Sequence, residues 1–390
     1  MSNQELQARY GHVMMNAFGA PKRVFVEGRG VHVRDADGKA YTDLLAGLAV
    51  LGLGHAHPVV TRAVATQLDT LGHISNLYAS EPQIRLAERL AAALGDESAR
   101  VFFGNSGSEA NETAFKLTRL TGRTKIVAME GSFHGRTSAA LAITHNPKYR
   151  EPFEPLPGDV VFVPYGDVAA LEAAVDDETA AVVLEVLQGE NGVVPAPEGF
   201  VAAARRLTEA HGALLWIDEV QTGIGRCGAR FAHRAEGITP DLVTVAKGLG
   251  NGFPVGACLA TGRASEFFQP GMHGTTFGGN PVAAAAGNAV LDVLEDGLLE
   301  HVAETGDWLA SAIESLGHPL VSHVRGRGLL RGVVLNADVA PAVAESALEA
   351  GFIINAPRPG VLRLAPPLII TRDELQPFVD ALPGLLDRHG

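Results

Sequence analysis

The chain has 390 residues and a formal net charge of −13, with 31 Lys and Arg against 44 Asp and Glu. Hydrophobic residues make up 46% and charged residues 19%, a balance typical of a compact globular protein that excludes a disordered chain. The negative charge argues against bulk nucleic-acid binding, and no apolar run approaches the roughly 18 residues that a membrane span needs.

The first predicted elements are three short strands in a meander, over residues 23–30, 31–38 and 39–44. The pair Asp37-Gly38 between the last two is a strong signal for a hairpin turn. The residues before this meander lack the basic and apolar regions of a signal peptide, so we expect a cytoplasmic location.

From about residue 58 to residue 280, helical stretches alternate with short apolar runs. Such alternation predicts a mainly parallel sheet with helices on both faces, and ligands bind these sheets at the carboxyl ends of the strands. The predicted strands are Arg100–Phe103, Lys125–Met129, Val160–Val163, Ala181–Leu184, Leu214–Ile217, Leu242–Ala246 and Ala257–Thr261, and the helices include Glu81–Leu94, Glu109–Leu120 and Val201–His211.

The chain after residue 280 is typical of an α+β fold. We interpret Arg325-Gly-Arg-Gly328 as a turn between strands, because apolar residues flank it on both sides. The other predicted elements are helices Pro281–Leu294, His301–Leu316, near Ala340–Ala350 and Asp373–Arg388, and strands Phe352–Asn355 and Val361–Leu364. We therefore predict an α/β protein with a large domain over residues 58–280 and a smaller domain built from residues 1–57 and 281–390.

Metal and disulfide chemistry receive little support from the sequence. The two cysteines, Cys227 and Cys258, have neither metal-site spacing nor a disulfide framework. His55 and His57 could chelate a metal, but no acidic or cysteine ligand stands nearby, and a polar turn before Pro58 is the favoured interpretation. We expect no metal site.

Two predicted strands end in residues of opposite charge. Lys247 follows an apolar run and precedes a glycine-rich turn, the only one of the six lysines in such a setting, and Asp218 ends an earlier apolar run. A buried amine and a carboxylate at strand ends are what a pyridoxal phosphate (PLP) enzyme requires: the amine forms an imine with the cofactor aldehyde, and the acid keeps the pyridine nitrogen protonated. A lone strand-end lysine is a weak motif, so the pairing carries the hypothesis.

Three further segments could complete such a site. Ser106 and Glu109 predict a capping box at a helix start, where Gly107 and Ser108 could bind a phosphate through backbone amides and a hydroxyl. Phe133 could stack on an aromatic cofactor, and Arg136 could hold a substrate carboxylate. Plain helix capping and an ordinary loop arginine are the alternative interpretations.

A buried arginine is predicted at Arg363, which stands among apolar residues and so needs an acidic partner or an anionic ligand. Glu190, in a loop after a predicted strand, could be that partner. Spacing alone cannot establish this pair.

With these segments the chain resembles, along nearly its whole length, a class III (fold-type I) PLP-dependent aminotransferase. Within that family it is most similar to the acetylornithine aminotransferases of the bacterial arginine pathway. The matching blocks are Asn105–Glu112, Ser132–Thr137, Gln188–Gly192, Ile217–Gly225, Ala246–Gly252, Pro254–Ala257, His273–Asn280 and Leu362–Pro367.

The resemblance implies a role for each matching residue. Lys247 corresponds to the imine-forming lysine and Asp218 to the pyridinium partner; Gln221 would bind the ring hydroxyl or the imine. Thr276 would reach the phosphate in the neighbouring subunit of a homodimer, with Thr275 near the substrate. The remaining expected contacts are Gly107 and Ser108 with the phosphate, Phe133 with the ring, and Arg136, Arg363 and Glu190 with the substrate.

The implied substrates are N2-acetyl-L-ornithine and the pair 2-oxoglutarate and glutamate. Arg363 would take the α-carboxylate of the dicarboxylate, and Arg136 either its side-chain carboxylate or the α-carboxylate of acetylornithine. Glu190 would neutralise Arg363 when the substrate offers only one carboxylate. Such a switch gives one site a physical reason to accept both substrates, because a bare arginine in a dry pocket is costly.

Three positions bear on the substrate. The family commonly has Pro-Ile where Val186-Leu187 stands, and acetylornithine enzymes often have Asn at Leu51. Ornithine enzymes usually carry Tyr where Gly47 falls, and glycine leaves room for an acylated substrate. Succinylornithine, ornithine and 4-aminobutyrate aminotransferases, an aminomutase of the glutamate-1-semialdehyde type and a catalytically silent PLP-fold protein remain alternatives.

Overall fold

A computed structural model describes residues 1–390, and its strands and helices are numbered separately along the chain. The strands are β1 Phe25–Arg29, β2 His32–Asp35, β3 Ala40–Asp43, β4 Arg100–Gly104, β5 Lys125–Met129, β6 Asp159–Val163, β7 Thr179–Leu184, β8 Leu187–Gln188, β9 Val194–Pro195, β10 Leu214–Asp218, β11 Leu242–Val245, β12 Gly256–Ala260, β13 Val321–Arg327, β14 Leu330–Leu335, β15 Phe352–Ile353, β16 Asn355–Arg358 and β17 Val361–Leu364. The helices are α1 Asn3–Val13, α2 Ala46–Ala49, α3 Pro58–Thr70, α4 Glu81–Leu94, α5 Gly107–Arg119, α6 Ser138–Ala142, α7 Pro147–Arg150, α8 Val168–Ala174, α9 Phe200–His211, α10 Pro281–Val293, α11 Leu299–Glu314, α12 Ala340–Ala350 and α13 Arg372–Leu386.

A seven-stranded sheet in the order β4-β12-β11-β10-β7-β5-β6 forms the centre of the molecule. Only β12 runs against its neighbours, so the predicted α/β fold with a mainly parallel seven-stranded sheet is confirmed. The strands are mostly apolar because both faces of the sheet are covered. In β10, Leu215 and Ile217 pack into the core on one face, and Leu214 and Trp216 into the core on the other.

Two smaller four-stranded sheets come from the ends of the chain. In the first, β1, β2 and β3 form the predicted antiparallel meander, and β15 adds to it in parallel, with Thr42 opposite Phe352. The second is the antiparallel order β13-β14-β17-β16, called here the C-terminal sheet. The turn at Gly328, with φ of 52°, joins β13 to β14 as the sequence predicted.

One predicted strand is wrong. Residues 352–355 were expected to form a single strand, but Phe352–Ile353 joins the N-terminal sheet and Asn355–Arg358 joins the C-terminal sheet. The chain changes sheets at Ile354, whose buried side chain belongs to the largest apolar core. No helix combines the length and apolarity that a membrane crossing requires.

Candidate active site

The candidate active site is a cavity of about 300 Å³ at the carboxyl edge of the seven-stranded sheet. The ends of β4, β10 and β11 all reach it, as expected for a parallel sheet whose loops diverge at that edge. Seven of the residues predicted from sequence line the cavity: Gly107, Ser108, Phe133, Glu190, Asp218, Gln221 and Lys247.

Lys247 lies two residues after the end of β11, at the start of a turn in which its own φ is 39°. This left-handed backbone conformation is uncommon for a residue with a side chain, and it turns the chain sharply at the cavity wall. Burial lowers the pKa of the Lys247 ammonium below its usual value, although the nearby Glu190 carboxylate partly opposes that effect. The site thus contains an amine that loses its proton more readily than one in water.

Asp218 is held by three donors at the end of β10. Its Oδ2 accepts hydrogen bonds from Asn111 Nδ2 at 2.9 Å and lies 2.7 Å from His134 Nδ1, while Oδ1 accepts one from the Val220 amide at 2.9 Å. Burial alone would lower the pKa of His134, but the hydrogen bond to Asp218 and the charges of Asp218 and Glu185 together outweigh it, and the pKa is raised. Asp218 is therefore fixed in orientation, with one lone pair of Oδ1 still unused.

Sequence reasoning missed Asn111 and His134 as site residues. Both stand inside blocks that carried the resemblance, but their contact with Asp218 joins α5, the loop after β5 and the end of β10. Asn111 is only 1% exposed, so its amide needs buried partners, and the one available signal was an asparagine between the apolar residues of a predicted helix.

The start of α5 forms one end of the cavity. Ser106 caps the helix through its hydroxyl, which accepts a hydrogen bond from the Glu109 amide at 3.1 Å. The predicted capping box is only half present, because the Glu109 carboxylate accepts from the Asn105 amide and not from Ser106. The amides of Gly107 and Ser108 precede the hydrogen-bonded part of the helix and are free to bind an anion.

Close packing holds this helix start in place. A Cβ on Gly256 would lie 2.2 Å from the Ser106 carbonyl oxygen, and one on Gly107 would lie 2.8 Å from Val220 Cγ1. Glycine at these positions lets β12 and the loop after β10 approach the turn that carries Ser106. The free amides are therefore positioned by neighbours on two other elements.

Glu185 is a further acid that sequence reasoning did not select. It lines the cavity at the end of β7, where its carboxylate accepts a hydrogen bond from the Phe133 amide at 3.1 Å. Burial raises the pKa of Glu185 to about 7; His134 lowers it and Asp218 raises it further. Glu185 therefore holds Phe133, whose ring faces the cavity, by a bond to its backbone.

Arg363 and Glu190 meet as the sequence suggested they could. Arg363, only 1% exposed on β17, donates from Nη1 to Glu190 Oε1 at 2.6 Å and to Gln221 Oε1 at 3.3 Å, and from Nε to Asn355 Oδ1 at 3.1 Å. Its Nη2 is buried and has no partner. Burial would raise the pKa of Glu190, but Arg363, with smaller contributions from Lys247 and Gln221, outweighs that effect and the pKa is lowered.

Arg136, Thr275 and Thr276 lie outside the cavity lining. Arg136 is exposed, and its guanidinium stacks 3.5 Å from the centre of the Tyr149 ring and 5.6 Å from that of Phe133. Thr275 is half-buried and accepts from the Gly278 amide at 3.1 Å, whereas Thr276 is exposed. Arg136 is connected to the cavity through Phe133, and Thr275 through Asn105, whose Nδ2 donates to Thr275 Oγ1 at 3.5 Å.

Known proteins resemble this chain over its full length. The family model described as "Aminotransferase class-III" matches residues 15–386. An acetylornithine aminotransferase of Mycolicibacterium smegmatis is 60% identical over 383 residues, 98% of each chain. The solved ornithine aminotransferase of Toxoplasma gondii ME49 superposes with a TM-score of 0.94 at 29% identity, covering 100% of this chain and 96% of that one. The solved acetylornithine aminotransferase of Elizabethkingia anophelis gives 0.87 at 31%, covering all of both chains. The chain belongs to the class-III aminotransferases, enzymes that depend on PLP.

Proposed function

We propose that this enzyme transfers the δ-amino group of N2-acetyl-L-ornithine to 2-oxoglutarate, giving N-acetyl-L-glutamate 5-semialdehyde and L-glutamate, as a step of arginine biosynthesis. The observation that carries the proposal is the Arg363–Glu190 pair at 2.6 Å beside a cavity that holds Lys247 and Asp218. Similarity over the full chain to proteins named acetylornithine aminotransferase supports the choice of donor.

PLP fits the residues of the cavity. The free amides of Gly107 and Ser108 would bind its phosphate, Phe133 would stack on its ring, and the unused lone pair of Asp218 Oδ1 would accept from its protonated nitrogen. Gln221 would bind near the ring hydroxyl. When bound there, PLP supplies an electrophilic aldehyde carbon and an electron sink.

Lys247 is the group that moves protons. Burial lowers the pKa of Lys247 and so favours the neutral amine, and its Nζ can take a proton from the carbon that bears the donor's amino group. Asp218 is fixed in orientation by His134 and Asn111, and there it would hold the proton on the ring nitrogen of PLP. Asp218 and Lys247 are thus the two catalytic residues of the proposal.

Substrate recognition falls to two arginines and a carboxylate. With glutamate or 2-oxoglutarate, Glu190 leaves Arg363, whose unpartnered Nη2 and released Nη1 then donate two parallel hydrogen bonds to the α-carboxylate. With acetylornithine, Glu190 stays on Arg363, and Arg136 turns from Tyr149 to take the single α-carboxylate. A ping-pong sequence follows, because both substrates use the same cavity in turn.

Gly47 supports an acylated donor. It lies in the turn Ala46–Ala49, where all four residues have positive φ, and its nearest side-chain neighbour, Val50, lines the cavity. Leu51, one residue further, reaches within 3.0 Å of where a Cβ on Gly252 would stand. The pocket edge is therefore built by a turn without a large side chain at Gly47, and Leu51 packs behind it.

A homodimer with shared active sites is part of the proposal. Leu77, Tyr78 and Phe277 are 86%, 69% and 60% exposed, and Asn76 joins their two segments by a 2.9 Å hydrogen bond to the Gly278 carbonyl. Exposed apolar clusters of this kind are typical of interfaces. Thr276 lies next to Phe277, so burial of the cluster by a second copy would carry Thr276, and Thr275 with it, toward the partner's site.

We also propose a division into two domains and a cytoplasmic location. All strands of the large sheet fall within residues 58–280, which favours that range as the PLP-binding domain, with residues 1–57 and 281–390 as the smaller one. We propose a cytoplasmic enzyme, and fractionation of cells that express the tagged protein tests the location.

A half-reaction assay tests the function. The purified holoenzyme is mixed with acetylornithine, succinylornithine, ornithine or 4-aminobutyrate, and loss of the visible absorbance of bound cofactor is followed. We expect the fastest loss with acetylornithine and recovery with 2-oxoglutarate. Faster turnover of another amine would replace the proposed donor, and turnover without any amino acceptor would indicate an aminomutase.

Two lysine variants serve as the catalytic control. Lys247→Ala should abolish both half-reactions and the visible absorbance, whereas Lys148→Ala, at an exposed position of α7, should change neither. A purified protein that retains no PLP would support a catalytically silent binding protein instead.

A further inference from the structure

The loop that carries Glu190 is gripped by two more arginines of the C-terminal sheet. Arg358, on β16, donates to Asn191 Oδ1 from Nε at 3.1 Å and from Nη2 at 2.6 Å. Arg325, on β13, donates to the Gly192 carbonyl oxygen from Nε at 3.0 Å and from Nη2 at 2.7 Å. In both cases Nε and Nη2 of one guanidinium donate to the same oxygen, a geometry that only arginine provides.

These two guanidinium groups have no carboxylate within ion-pair distance, whereas eleven of the 25 arginines of the chain do. Burial lowers the pKa of Arg325, because a charged guanidinium is disfavoured where water is partly excluded. The oxygens of Asn191 and Gly192 are what those charges bind. Arg325 and Arg358 therefore bind the loop through its oxygens and take no part in a surface ion pair.

The loop is also held from the side of the large sheet. Asn191 Nδ2 donates to Gln188 Oε1 at 2.8 Å, and Gln188 Nε2 donates to the Glu130 carbonyl oxygen at 2.8 Å. Gly131 has no room for a side chain here, since a Cβ on it would lie 2.3 Å from Asn191 Nδ2. Asn191 thus joins the end of β5 to the C-terminal sheet.

Between these fixed points only one side chain is free to move. Glu190 is bonded by its carboxylate alone, to Arg363 and Gln221, and its side chain is 34% exposed. Asn191, in contrast, is bonded on both sides, and the Gly192 carbonyl is bonded to Arg325. A fixed backbone limits the motion of Glu190 to rotation of its side chain. Rotation about side-chain bonds is faster and less costly than remodelling a loop.

We propose that Arg325 and Arg358 are positioning residues for the Glu190 switch: by fixing the backbone at Asn191 and Gly192 they return the Glu190 carboxylate to Arg363 whenever the substrate has a single carboxylate. The inference rests on the proposed function for its two substrates. It adds a selectivity role to two arginines that do not touch the cavity.

Loosening the loop should affect the two half-reactions unequally. With acetylornithine, Glu190 must close on Arg363 at hydrogen-bond distance, so a mobile loop weakens the pair. With glutamate, Glu190 must only be out of the way, which a mobile loop permits. We therefore expect kcat/KM for acetylornithine to fall about tenfold, within the roughly two- to thirtyfold coupling typical of such networks, while that for glutamate stays within about threefold.

The experiment compares Arg358→Gln and Arg325→Gln holoenzymes with wild type in both half-reactions. Arg358→Lys keeps the charge but loses the two-pronged grip, so it should resemble Arg358→Gln. Arg388→Gln is the matched control, because Arg388 is an exposed arginine in the same C-terminal part of the chain, away from the loop. The melting temperature of each variant is measured alongside.

The ratio of the two kcat/KM values decides the question. A fall in both half-reactions by the same factor, or an unchanged ratio in Arg358→Gln, would overturn the proposal, since a purely structural role predicts it. In a Glu190→Gln background, Arg358→Gln should leave the ratio as it is, because there is no carboxylate left to position; a further shift would also contradict the proposal.

Failure of the proposed function is separately visible. If wild-type enzyme does not react with acetylornithine, the donor assignment fails, and the fastest monocarboxylate amine found in the half-reaction assay replaces it in this comparison. The predicted change of ratio then applies to that amine against glutamate.

Discussion

Replacing Glu190 by Gln isolates the charge of the switch while keeping its shape. Breaking a buried ion pair by removing one charge costs about 3–5 kcal/mol. Glu190 is 34% exposed and Gln can still accept a hydrogen bond from Arg363, so we expect about half of that, about 1.5–2.5 kcal/mol. That free energy corresponds to a factor of about 10 to 70.

The loss should appear in one half-reaction only. The acetylornithine half-reaction needs Arg363 neutralised, and its kcat/KM should fall by that factor of about 10 to 70. The glutamate half-reaction needs Arg363 free, so KM for glutamate should stay equal or decrease. Because Arg363 holds the pKa of Glu190 below its usual value, the effect should be the same at neutral and mildly acidic pH.

Rapid-mixing measurements of cofactor absorbance give both constants from one preparation. Gln221→Leu is a useful comparison, because it removes a neutral partner of Arg363 and leaves the ion pair. Equal losses in both half-reactions of Glu190→Gln would refute the reasoning, since they would mean that the carboxylate supports the site as a whole and does not alternate.

Three other perturbations follow from the structure. Because the folded pKa of Glu185 lies near 7, above its usual value, wild type should lose about 2–3 kcal/mol of unfolding free energy relative to Glu185→Gln between pH 5 and pH 8, measured by chemical denaturation. Gly256→Ala places a Cβ 2.2 Å from the Ser106 carbonyl oxygen, and the displaced helix start should weaken PLP retention at least about tenfold in dialysis. Phe277→Asp and Leu77→Asp introduce charge into the exposed apolar cluster and should yield inactive monomers in analytical ultracentrifugation.

Each of these has a control in the chain. Parallel unfolding curves for Glu185→Gln and wild type across pH would contradict the assigned titration. Gly384→Ala, with no atom within 4 Å of the new Cβ, should retain PLP fully. Phe153→Asp, at a position 65% exposed, should remain as oligomeric as wild type; dimers in Phe277→Asp would remove the cluster from the interface.

The fold was largely predictable because the seven-stranded sheet is buried on both faces. Such strands are continuous apolar runs, and the polar residues that end them mark the ligand edge, as at Asp218 and Lys247. The change of sheet at Ile354 was not predictable. Nothing in the sequence of residues 352–355 indicates that Phe352–Ile353 and Asn355 belong to different sheets. That choice is made by tertiary packing.

Site residues were predictable where the residue type itself stands out from the surrounding sequence. They were not predictable where the role depends on contact with a residue distant in the chain. Lys247 and Arg363 stand out because their charge interrupts apolar sequence. His134 and Asn111 stand out only once Asp218 is placed beside them. Arg325 and Arg358 bind backbone and amide oxygens, and no sequence pattern marks an oxygen as the target of a distant arginine.

The pairing of β15 with β3 has a consequence for synthesis of the protein. Thr42 pairs with Phe352, which is 310 residues later in the chain. During synthesis, β3 therefore remains an unpaired edge strand of the N-terminal meander until nearly the whole chain has been made. An unpaired strand edge invites association with other nascent chains, and long-range pairing is slow. Premature termination anywhere before residue 352 therefore releases a polypeptide whose first sheet lacks its last strand.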